Sequence, residues 1–86
     1  MAKYAYHRLD GNHAAIREAL EAVGATVSLQ GPLDLLVGFG GQNYLLEVKT
    51  ARGQLRASQR AFLGRWKGHV AVVRTVDEAL GVIGVR

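Results

Sequence analysis

The chain has 86 residues, eleven Lys and Arg against seven Asp and Glu, a formal net charge of +4 and no cysteine. That length supports one domain over residues 1–86, burying roughly 60–65% of its unfolded surface, so stability is modest and a homo-oligomer is in keeping. Absent thiols exclude disulfides, thiolate zinc sites and cysteine nucleophiles; no apolar run nears the ~20 residues of a membrane span, and MAKYAYHR lacks a signal-peptide core, so an intracellular protein is expected.

The first predicted element is an amphipathic helix in DGNHAAIREALEAVGA. Asp10, Gly11 or Asn12 supplies its N-cap, Gly24 its left-handed stop, and Ile16, Ala19, Leu20 and Val23 its buried stripe. Ala25 to Leu29 alternates as a short strand with Ala25, Val27 and Leu29 inward. Gly31-Pro32 breaks the chain, and LDLLVG (33–38) and YLLEVK (44–49) then form a hairpin across the glycine-rich GFGGQN. Both runs are nearly continuous in apolar residues, as central strands covered on both faces are, so helices are expected on each side of the sheet.

After TARGQLRA, the segment SQRAFLGRWKG predicts a second helix burying Phe62, Leu63 and Trp66 and ending at Gly68. HVAVVR (69–74) reads as a strand. Thr75 and Glu78 read as a capping box that satisfies both orphan donors, opening a last helix that buries Val76, Leu80 and Ile83. The order is α-β-β-β-α-β-α, an α/β fold with a small mixed sheet flanked by helices.

Chemistry concentrates on the hairpin. Residues two apart on a strand share a face, so Glu47 and Lys49 emerge together, and Asp34 on the paired strand reaches the same edge. Two carboxylates and an ammonium there suit a hard divalent cation held against a phosphodiester. Alone, Asp34 could cap a turn, and Glu47 with Lys49 could be an exposed ion pair. Their apolar neighbours Leu45, Leu46 and Val48 favour the functional reading. No acid lies between Glu47 and Asp77, whereas Lys49, Arg52, Arg56, Arg60, Arg65 and Lys67 do, a one-signed stretch attractive to phosphate.

The motifs GPLDLLVG, YLLEVK, Gln59 on the following helix and AVVRTVDEAL resemble the PD-(D/E)xK nuclease superfamily, whose core is αβββαβ and restriction-endonuclease-like. Within it the chain is similar to the VRR-NUC (virus-type replication-repair nuclease) branch, notably small phage proteins, from about Arg8 to Ile83. The resemblance implies a Mg²⁺- or Mn²⁺-dependent DNA endonuclease. Asp34, Glu47 and the Val48 carbonyl would hold the metal, Lys49 would position the attacking water, and Gln59 would orient the site. It further implies a branched or structured DNA substrate, such as a Holliday junction or flap, a 5′-phosphate product and a homodimer. Two departures stand out: Leu33 intervenes between Pro32 and Asp34, and the usual first-helix acid is replaced near Asn12-His13, leaving His13 and Glu18 as accessory candidates.

Arg52, Arg56, Arg60 and Arg65 are the expected backbone-gripping residues. Phe62 and Trp66 are expected in the core, GFGG as a turn without the lysine of a phosphate loop, and His7, His13 and His69 as too scattered for a zinc site. Tyr4 and Tyr6 fit either packing or DNA contact. The alternative function is a non-catalytic nucleic-acid-binding or assembly protein on the same fold.

Overall fold

A computed structural model of the chain describes residues 3–85, with side chains described from residue 12 onward. Tyr4, Tyr6 and His7 therefore lie outside the described side chains. Among the described residues the elements run α1 (Lys3–Ala22), β1 (Thr26–Ser28), β2 (Leu35–Phe39), β3 (Gln42–Val48), α2 (Ala57–Arg65), β4 (His69–Val73) and α3 (Val76–Val82). This is the order expected from periodicity and punctuation. The strands make one mixed sheet in the order β1-β2-β3-β4, antiparallel except for the parallel β3–β4 pair.

Glycine sets two of the reversals. Gly40 and Gly41 both have positive φ, 59° and 80°, so two residues suffice to turn Phe39 back onto Gln42. Gly24, at φ 97°, closes α1: its N–H donates to the Glu21 carbonyl and that of Ala25 to Leu20, a Schellman arrangement with Leu20 and Ala25 both in the core.

The strand pleat sorts side chains onto two unlike faces. On one, Leu35, Val37, Leu46 and Val73 meet Ile16 and Leu20 of α1, Ala79 of α3 and Ile83 at the α3 C-cap. Ile16, Leu20, Leu35, Val37, Leu46 and Val73 are wholly buried there. The other face carries Leu36, Leu45 and Glu47, and α2 meets it where Gln59 bonds Glu47. The expectation of helices on both sides holds, but unequally, because α2 has only nine residues.

Several local expectations are corrected. Helix α1 runs through Asp10-Gly11-Asn12 instead of starting there, since the Asn12 amide is committed to the Lys49 carbonyl at 3.0 Å and caps nothing. Val23, just past the end of α1, and Leu29, past the end of β1, are exposed, because each lies where its element has already stopped. Trp66 is 45% exposed, not core: α2 ends at Arg65, and the indole stacks on Phe62 at the surface. The capping box is half formed. Thr75 Oγ1 accepts from the Glu78 N–H, whereas the Glu78 carboxylate reaches the N–H of Arg74. Ala79 is the buried residue of α3, Ile83 at its C-cap is buried beside it, and Val76 and Leu80 are half-buried.

Candidate active site

The site forms where β2 and β3 separate. The register pairs Leu35 with Leu46, so Asp34, one residue before β2, stands opposite Glu47. Pro32 has no N–H to continue the ladder. Asp34 takes over with its side chain: Oδ2 accepts from the Val48 N–H at 2.9 Å. Strand geometry directs the Val48 carbonyl to that same edge, away from β4. On the other edge, Lys49, just past β3, donates its N–H to Val73 of β4 at 3.0 Å, which holds its backbone straight.

Glu47 is only 3% exposed and is fully engaged at one oxygen. Its Oε2 accepts from Gln59 Nε2 at 2.7 Å and pairs with Lys49 Nζ at 3.2 Å. The Gln59 amide has its own orienter, because Oε1 accepts the Arg56 N–H at the start of α2 at 2.9 Å. That bond turns the NH₂ toward the carboxylate. Gln59 is thus the buried residue of α2, in place of the aromatic stripe expected there. Burial first, and the nearby Asp34 carboxylate second, push the Glu47 pKa above the usual carboxylate value, against the opposing pull of Lys49.

No described side chain bonds Asp34 Oδ1 or Glu47 Oε1, and the Asp34 N–H, close to the Glu47 carboxylate, lowers its pKa against the effect of burial. Two carboxylate oxygens and a strand-edge carbonyl form a hard, all-oxygen donor set, which fits Mg²⁺ or Mn²⁺ and leaves other positions to water or phosphate. Among the described residues no cluster of three or more His, Cys, Asp or Glu supplies a fuller cage.

Two clefts share these carboxylates. A cavity of about 300 Å³ is lined by Asn12, His13, Lys49, Thr50 and Gly53 together with Asp34, Glu47 and Gln59. A second, of about 550 Å³, runs from Asp34 and Glu47 past Ser58 to Phe62 and Arg65. Arg56 borders both. The remaining candidates lie apart. Arg52 and Glu18 are exposed and line neither, and Arg60 also lines neither, its guanidinium donating to the Leu55 carbonyl at 3.1 Å.

Two residues outside the sequence-based set shape the first cleft. Asn12 ties α1 to the end of β3, and Arg74 Nη1 donates to the carbonyls of Thr50 and Gly53 at 2.6 and 2.8 Å, clamping the loop that forms the rim. Both contacts bridge distant parts of the chain, so no periodicity announces them. Comparison with models of protein families, with curated proteins and with solved structures finds no match to this chain.

Proposed function

We propose that this chain is a divalent-metal-dependent DNA endonuclease of the PD-(D/E)xK type, close in pattern to the VRR-NUC branch. One observation carries the reading: Asp34, Glu47 and Gln59 line two clefts at once, Lys49 joins them in the first, and each carboxylate keeps one oxygen that no described side chain bonds. Asp34, Glu47 and the Val48 carbonyl would hold Mg²⁺ or Mn²⁺. When bound, the ion supplies a Lewis acid that offsets charge building on the phosphoryl oxygens.

The chain's own residues do the rest. Lys49, held 3.2 Å from Glu47, presents its remaining ammonium protons to the first cleft, where they orient a water and counter charge on a phosphate oxygen. Gln59 fixes the Glu47 rotamer, so that Oε1 rather than Oε2 faces incoming ligands. Arg56, between the clefts, contributes positive charge to the path of the DNA backbone. An intracellular setting, a branched or flapped substrate and a homodimer bearing two sites for two cuts belong to the same reading. Among the described residues no helix is long and apolar enough to cross a membrane.

The rival reading is a non-catalytic nucleic-acid-binding protein. Its support is that Gln59 and Lys49 both engage Glu47 Oε2, which leaves one carboxylate oxygen fewer for an ion. A cleavage assay on plasmid and four-way-junction DNA with Mg²⁺ or Mn²⁺ decides between them. The nuclease reading expects metal-dependent products with 5′-phosphates, lost in Asp34→Asn and Lys49→Ala. Binding without cleavage by the wild-type protein sinks it in favour of the rival.

A further inference from the structure

Trp66 is large, apolar and 45% exposed, yet it is held firmly. Its ring stacks on Phe62 with centroids 5.0 Å apart and planes at 22°. The Arg65 guanidinium sits 5.2 Å from the same Phe62 ring. Gly68 completes the seat: a Cβ at that position would lie 2.9 Å from the indole Nε1, so only glycine lets the ring lie where it does. An exposed aromatic immobilised in this way loses little entropy when something stacks on it.

The surroundings say what the occupant is. Phe62 and Arg65 line the cleft of about 550 Å³ that ends at Asp34 and Glu47. Trp66 itself borders an adjoining groove of about 450 Å³ with Pro32, Leu36, Leu45 and His69. The pair therefore joins an apolar slot to a cleft with arginines at Arg56 and Arg65 and carboxylates at its far end. Flat apolar groups on a polyanionic chain match that sequence of surfaces. Bases in a continuous duplex have both faces covered by their neighbours, so only an unpaired base can use the platform.

Resting on the nuclease reading, we propose that Trp66, backed by Phe62, is a stacking platform for an unpaired base of the substrate strand. Arg56 and Arg65 take the adjacent phosphates, so the protein prefers DNA containing a single-stranded stretch over uninterrupted duplex.

Trp66 is the sole tryptophan of the chain, so its emission reports directly on the platform. The probe is a short oligothymidylate titrated into the whole protein in EDTA, with a blunt duplex of equal length as the comparison. The oligothymidylate is expected to quench emission saturably and the duplex to leave it nearly unchanged. By anisotropy of a labelled oligothymidylate, Trp66→Ala should bind about 10- to 100-fold more weakly, while Trp66→Phe keeps most of the affinity. Circular dichroism establishes that both variants are folded. Binding without quenching, equal quenching by the duplex, unchanged affinity in Trp66→Ala, or no binding of any DNA by the folded wild-type protein overturns the platform. Cleavage assays with Mn²⁺ separate it from the nuclease reading. Quenching with no cleavage leaves the platform and removes the nuclease, whereas cleavage indifferent to Trp66→Ala does the reverse.

Discussion

The two faces of the sheet are built from the same strands to opposite ends. One face is sealed by α1 and α3 over Leu35, Val37, Leu46 and Val73, all wholly buried. The other carries a buried carboxylate, Glu47, one residue along from Leu46, and is covered by a nine-residue helix whose buried side chain is an amide. The first face holds the packed core and the second the candidate site. Alternation along β3 keeps them one residue apart and separate.

The largest effect expected from this division is on folding. Leu46→Ala opens a cavity in the sealed face and should cost about 2–5 kcal/mol, measured by urea denaturation. Leu45→Ala, on the opposite face and outside the core cluster, should fall near the lower end of that range. If Leu45→Ala proves the more damaging, the sealed face is not where the fold is held.

Glu47→Gln should separate activity from stability. On the nuclease reading, in which Glu47 would hold the metal, its loss is expected to reduce cleavage by more than about 100-fold, beyond what removal of an outer-shell partner costs. The folded protein should nevertheless gain stability at pH 7. Burial and Asp34 raise the Glu47 pKa from its ordinary value of 4.5, so between that value and the raised one the folded state holds more protons than the unfolded chain. Stability contributed at this position is therefore lost as pH rises through the window. In EDTA, the wild-type melting temperature should fall relative to that of Glu47→Gln from pH 4.5 to 7. A gap that narrows over this range contradicts the raised pKa.

Gln59 shows why part of the site was legible in the chain and part was not. The period of two along YLLEVK places Glu47 and Lys49 on one face, and the hairpin brings Asp34 beside them. Helical spacing in SQRAFLGRWKG, by contrast, singles out Phe62, Leu63 and Trp66, because periodicity identifies an apolar stripe and not the depth to which it is buried. The short α2 meets the sheet near its N-terminal end, so Gln59 goes inside and Trp66 stays out. The Asn12 and Arg74 contacts, with partners 37, 24 and 21 residues away, depend on the assembled fold. Gln59→Ala should lower activity about 10- to 100-fold through loss of the Glu47 orienter, with KM little changed.

The smallest expected effect concerns the arginines. Arg56 and Arg60 lie one helical turn apart and are equivalent by charge, but not by placement. Arg56 borders both clefts, whereas the Arg60 head group is occupied by the Leu55 carbonyl and lies outside them. Each phosphate contact contributes about 0.9 to the slope of log affinity against log salt on duplex DNA, or about 0.7 on a single strand. Arg56→Ala should therefore flatten that slope by about one contact, and Arg60→Ala by distinctly less. Equal changes would mean that the DNA backbone crosses the exposed side of α2 rather than following the clefts, and the carboxylates would then lie off its path.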